Sequence, residues 1–71
     1  MKPEDLHADR FGKNITEIIS FLEITQGELA AKAGLTAGAI SQLISGEREP
    51  TLKTACKIAN ALNVKLERLL K

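Results

Sequence analysis

An all-α fold, a compact bundle of five short helices, is what this sequence predicts, and three observations predict it. Apolar residues recur at steps of three and four, the spacing of one helical face. Threonines stand just ahead of three such runs, with glycines or an asparagine behind them, and these are residues that start and stop helices. The period-two alternation of a half-buried strand appears nowhere, nor does a repeat or a low-complexity segment. The predicted helices cover residues 9–23, 26–33, 36–45, 51–62 and 65–70.

The first helix rests on Phe11, Ile15, Ile18 and Leu22, with Ile19 and Phe21 off that strict stripe. Thr25-Gln26-Gly27-Glu28 spells a capping box. The Thr25 side chain accepts from the Glu28 backbone N–H, and the Glu28 carboxylate from that of Thr25. Leu29, Ala30 and Ala33 give the second helix a short apolar face, and Gly34 stops it. Thr36 caps a third helix lined by Ile40, Leu43 and Ile44 and ended by Gly46, although Gly38 in its first turn costs about 1 kcal/mol of helix propensity. Thr51 caps a fourth helix carrying Leu52, Ala55, Cys56, Ala59 and Leu62, which Asn63 ends. Val64, Leu66, Leu69 and Leu70 suit a short last helix. Residues 1–8 read as a flexible polar leader and residues 9–71 as one domain.

Composition narrows the function classes. With 44% hydrophobic and 27% charged residues in a 71-residue chain, the sequence is globular rather than disordered. Two phenylalanines and no Trp or Tyr leave no stacking platform for single-stranded nucleic acid. One cysteine and one histidine, His7, exclude an internal disulfide and a multi-Cys zinc site, and an intracellular, cytoplasmic setting is expected. Cys56 reads as a small core residue and His7 as an exposed bystander. There is no long apolar run, so no membrane partner is expected. No nucleophile–base pair, metal cluster or glycine-rich phosphate loop is visible, so neither an enzyme nor a cofactor is expected. The net charge of +1 argues nothing for DNA, and its distribution says only slightly more: residues 25–71, with seven Lys/Arg against four Asp/Glu, are mildly basic but far from a strong basic patch.

Two short helices joined by a glycine-containing turn form a DNA-binding helix-turn-helix, in which the second helix enters the major groove while the first crosses the backbone. Spacing alone carries that signal weakly. The string Thr25-Gln26-Gly27-Glu28-Leu29-Ala30, then Ala33-Gly34-Leu35-Thr36, Ile40-Ser41-Gln42-Leu43, Gly46 and Pro50, resembles the phage-repressor (Cro/CI, or XRE-like) helix-turn-helix family. Leu52, Ile58-Ala59, Ala61-Leu62, Val64, Leu66 and Leu69-Leu70 continue the match, which covers about residues 10 to 70. The resemblance implies a lambda-repressor-like domain that binds double-stranded operator DNA, commonly as a homodimer on a palindromic site.

It also implies roles. Gln26 matches a phosphate-binding position at a helix N-terminus. Thr36, Ala37, Gly38, Ser41, Gln42 and Ser45 match the positions of the base readers. Gln42 leads, because its amide pairs bidentately with adenine, while Ala37 can touch only a thymine methyl and Gly38 offers only backbone. Ser41 meets a phosphate, meets a base edge or is simply exposed, and Thr36 is an N-cap first and a phosphate contact second. Arg48 and Lys53 are candidate phosphate contacts or solvated charges, with Arg10 and Lys32 weaker candidates. Residues 33–46 contain no charged side chain, so direct readout is expected to be sparse.

Where many relatives carry an Arg–Glu pair between the first and third helices, Ile19 and Ile44 stand here, and the two are expected to meet in the core. Phe21 is expected to be buried, with a partner surface as the alternative. The apolar Leu66, Leu69 and Leu70 suggest a dimer interface, or else they only close the core. Against the DNA-binding regulator stands a second reading: a module of the same fold that holds a protein partner and binds DNA weakly.

Overall fold

The computed structural model describes residues 8–70, with side chains from residue 10 onward. Its helices are α1 (Ala8–Leu22), α2 (Gln26–Ala33), α3 (Ala37–Ser45), α4 (Leu52–Leu62) and α5 (Leu66–Leu70). Ala8, assigned to the leader by sequence, opens α1, while His7 and the rest of residues 1–7 lie outside the described residues. α1 ends at Leu22 and α5 starts at Leu66, each one residue inside the predicted bound, and the offsets at the starts of α3 and α4 share one cause. Thr36 and Thr51 hold extended backbone while their hydroxyls accept from Ala39 and Thr54, so each precedes the helix it starts.

Helix ends repeat one device. After α1, α2 and α4 the chain turns through a left-handed residue, Glu23, Gly34 or Asn63. The following amide then bonds back five residues, Ile24 to Ile19, Leu35 to Ala30 and Val64 to Ala59, at 2.9–3.0 Å. This Schellman geometry satisfies carbonyls that the helix leaves without partners. Glu23 is the unexpected member, since a side chain is disfavoured at its φ of 58°.

Fourteen apolar residues form one buried cluster drawn from all five helices, among them Phe11, Ile15, Leu29, Ile40, Leu43, Ile58 and Leu69. α1 packs on α3 and α5, α2 on α3 and α4, and α4 on α5. Ile19 is buried, and Ile44 is half-buried against the same cluster, so apolar packing occupies both places where an ion pair would otherwise be needed. α1 and α3 come closest at Gly12, where a Cβ would lie 2.5 Å from the Ile44 carbonyl oxygen. Asn14 is buried and donates from Nδ2 to the Leu69 carbonyl at 2.8 Å, which ties the first helix to the last.

Several expectations are corrected. Phe21 is 86% exposed, not buried, because it lies on the side of α1 turned from α3, where no helix among the described residues covers it. Leu22 and Leu52 follow the apolar periodicity yet are 44% and 70% exposed, since they sit in the end turns of α1 and α4. Cys56 is half-buried rather than central. Leu69 is fully buried in the monomer core, so it has no surface to give a dimer, and only the half-buried Leu66 and Leu70 retain any. No helix among the described residues is long and apolar enough to cross a membrane.

Two opposite glycine substitutions test this packing by urea or thermal unfolding. Gly12→Ala forces a methyl against backbone that cannot swing aside and is expected to cost about 2 kcal/mol or more. Glu23→Gly relieves a left-handed side-chain residue and is expected to stabilise by up to about 1 kcal/mol.

Candidate nucleic-acid interface

The site is built on the reciprocal cap of α2. Thr25 Oγ1 accepts from the Glu28 amide at 3.0 Å, and Glu28 Oε1 accepts from the Thr25 amide at 2.8 Å. That exchange fixes where α2 begins and leaves Gln26 exposed at its first position, beside amides that have no intrahelical partner. It also engages the one carboxylate of the first turn, Glu28, in the cap. From there α2 runs to Gly34, and its buried Leu29, Ala30 and Ala33 form the surface on which α3 and α4 pack.

α3 divides cleanly around its axis. At about 100° per residue, Ala39, Ile40, Leu43 and Ile44 occupy the arc turned to the core. Ala37, Gly38, Ser41, Gln42 and Ser45 occupy the rest. Burial agrees, with Ile40 and Leu43 at 0% exposure, Ala37, Gly38, Ser41 and Ser45 exposed, and Gln42 half-buried. All five expected base readers therefore share one uncovered side of one helix.

Their hydroxyls are unequally free. Ser45 donates to the Gln42 carbonyl at 3.2 Å and accepts from the Glu47 amide at 3.4 Å, so it serves the end of its own helix. Thr36 Oγ1 accepts from the Ala39 amide at 3.0 Å and keeps its proton for another acceptor. Arg48 follows Gly46, and its amide bonds back to the Gln42 carbonyl at 3.2 Å, which folds the loop against the end of α3. Its side chain is exposed, flanked in sequence by the exposed carboxylates Glu47 and Glu49. Lys53 is exposed in the first turn of α4, where Thr51 accepts from Thr54 at 3.1 Å. Arg10 and Lys32 are exposed on α1 and α2. The arrangement offers capped N-termini on α2, α3 and α4 and a small, uncharged, exposed face on α3, with Arg48 exposed in the loop that follows it and Lys53 exposed in the first turn of α4.

Known proteins resemble this chain in sequence and in fold. The helix-turn-helix family profile matches residues 22–69, well over half the chain. The chain belongs to the XRE-like helix-turn-helix family. A relative in Bacillus subtilis (strain 168), the uncharacterized HTH-type transcriptional regulator YqaE, is 38% identical over 61 residues, 86% of this chain and 53% of its own length. The chain thus spans about half the length of that relative. Among solved structures, the restriction-modification controller protein C.AhdI from Aeromonas hydrophila superposes with a TM-score of 0.80 at 27% identity, covering 83% of this chain and 86% of that one. The P22 c2 repressor, solved in complex with a synthetic operator, gives 0.78 at 31% identity, covering 86% and 92%.

For a helix-turn-helix member the third helix is sparsely equipped. At Gly38 a Cβ would meet only Thr36 Oγ1, at 3.9 Å, so the missing side chain is not dictated by packing inside the monomer. Sequence reasoning did not find Gly12, which seats α3 from behind, or Asn14, which anchors α5 to α1. A glycine and an asparagine inside a helical pattern read only as weak helix formers, and their partners lie 32 and 55 residues away. Gly38→Ala is expected to raise stability by up to about 1 kcal/mol in thermal unfolding, because the space is open and alanine is the better helix former.

Proposed function

We propose that this chain binds double-stranded DNA sequence-specifically as a transcriptional regulator, laying α3 in the major groove as a homodimer on a palindromic operator. The observation that carries this reading is the outward arc of α3, bearing the exposed Ala37, Gly38 and Ser41 and the half-buried Gln42, with no other helix across it among the described residues. Membership of the XRE-like family and the likeness to the operator-bound P22 c2 repressor support it. Gln42 is the principal reader, pairing with adenine N6 and N7. Ser41, and to a lesser degree Ser45, reach base edges or phosphates from within the arc, between Ala37 and Gln42. Gln26 and Thr36 hold phosphate from helix N-termini, and Arg48 and Lys53 hold it by charge.

With one amide as the main reader, much of the discrimination falls to DNA shape and deformability. In the dimer the two α3 helices stand about 34 Å apart, to meet successive major grooves. Leu66 and Leu70 remain available to pair protomers, whereas Leu69 serves the monomer core. One observation favours a second reading, a protein-binding module: the exposed Phe21 and Leu22, which lie outside the α3 arc.

Selection of binding sites from random duplexes, followed by titration at several salt concentrations, tests the main reading. Gln42→Ala is expected to cost about 1–3 kcal/mol and to relax preference at one base pair of each half-site. Lys53→Ala is expected to weaken binding uniformly across sequences and to lower the salt slope by about 1. Absence of duplex binding even at low salt would overturn the DNA reading in favour of the second.

A further inference from the structure

The side of α1 turned away from α3 carries an ordered gradient of chemistry. Gly12 marks the side applied to α3. Arg10, Lys13, Glu17 and Phe21 lie between about 100° and 180° round the helix from it, as one stripe along the outer face. All four are exposed.

Two grooves follow this stripe and join. One, of about 630 Å³, has Ile18, Phe21, Leu22, Leu62 and Val64 as its apolar lining. The other, of about 480 Å³, is lined by Arg10, Lys13, Asn14, Glu17 and Arg68. Glu17 and Arg68 belong to both, so the surface is continuous from a cationic end to an apolar end. It spans the twelve residue steps from Arg10 to Leu22, roughly 18 Å of helix.

This polarity selects its occupant. A contiguous apolar patch containing a phenylalanine exposed to 86% marks an interaction surface more than an incidental one. Among the described residues the lining sets three cations, Arg10, Lys13 and Arg68, against one carboxylate, Glu17, which favours a ligand that carries acid at that end. A duplex would use only the cations and leave Phe21 and Leu22 in water. A second copy fits poorly in either direction. Parallel two-fold pairing sets cations on cations, and antiparallel pairing sets them on the apolar end. An amphipathic helix with apolar residues at one end and carboxylates at the other matches both halves, in the manner of helix-in-groove recognition.

We propose that the outer face of α1, with the adjoining end of α4 and α5, is a docking surface for an acidic amphipathic helix of a partner protein. Its apolar anchors rest on Phe21, Leu22 and Val64, and its carboxylates on Arg10, Lys13 and Arg68. Because this stripe is turned from the side of α1 that seats α3, occupation leaves the reading face uncovered. The surface stands independently of whether α3 binds DNA.

A phage-displayed library of random peptides about 16 residues long, enough for roughly 24 Å of helix, selected on the full chain, tests this. The expected winners carry carboxylates at one end and apolar residues at steps of three and four at the other. Their affinity, read by fluorescence anisotropy, should fall roughly tenfold or more in Phe21→Ser, whose circular dichroism should match the parent. The double variant Lys13→Glu/Arg68→Glu should lose the acidic peptide and bind its lysine-substituted counterpart.

Four results overturn the proposal: no enriched peptide, enriched peptides without acidic residues, binding indifferent to Phe21, or binding indifferent to the charge reversal. Two more would assign the surface elsewhere and overturn it equally. A Phe21-dependent dimer of the free chain in sedimentation would make a second copy the occupant. A rise in peptide affinity on deleting residues 1–7 would make this chain's own leader the occupant.

Discussion

The approach of α1 to α3 at Gly12 is the constraint on which the rest of the molecule turns. With no side chain there, the two backbones meet at a distance that even a methyl group would prevent. α3 has nine residues, too few to persist as an isolated helix in water. Its existence and its orientation both come from what it packs on. Gly12 seats one flank, Leu29, Ala30 and Ala33 of α2 close the other, and Ile40 and Leu43 fill the space between. The side left outward is a consequence of that seating, so a residue on the hidden flank decides which five residues are left uncovered.

The local grammar was legible where it uses residues with one dominant habit. The capping box at Thr25 and Glu28, the stop at Gly34 and the threonine caps at positions 36 and 51 all stand as read, with the caps one residue outside their helices. Glu23 was not legible as a left-handed stop, because glutamate disfavours that conformation. Its place is held by the amides bonded back to Ser20 and Ile19 rather than by its own preference. Periodicity found the apolar faces but not their limits. Leu22 and Leu52 obey the spacing and still face solvent, since a stripe can run past the end of what it packs against. Phe21 fails for a related reason: hydrophobicity predicts burial only where another element arrives to supply it. Leu69 errs the other way, its leucine-rich surroundings suggesting a surface when its side chain completes the core.

For the candidate interface, helical spacing was sufficient to gather Ala37, Gly38, Ser41, Gln42 and Ser45 on one side, because that grouping depends on angle alone. Their availability depended on hydrogen bonds that spacing does not encode. Ser45 is drawn into the end of α3 by the Gln42 carbonyl and the Glu47 amide, while Thr36 keeps a free proton. Flanking carboxylates at Glu47 and Glu49 weaken the field of Arg48, as screening by like-placed opposite charge requires. The chemistry of this face is therefore thinner than its residue roster implies.

The bond from Asn14 to the Leu69 carbonyl bears on how the fold assembles. α5 is only five residues long, below any length at which a helix survives unaided, so it exists only as part of the whole. Closing a contact across 55 residues carries a loop-closure entropy that the more local α2–α3 and α4–α5 pairings avoid. The helix-turn-helix rests on the more local pairings, and joining the two ends of the chain carries the larger entropic cost. Once joined, α1 holds both the seat of α3 and the anchor of α5, so loosening either end loosens the other. A segment far along the chain from the third helix is thereby bound into the same cooperative unit, and its opening is felt as a loss of order across the domain.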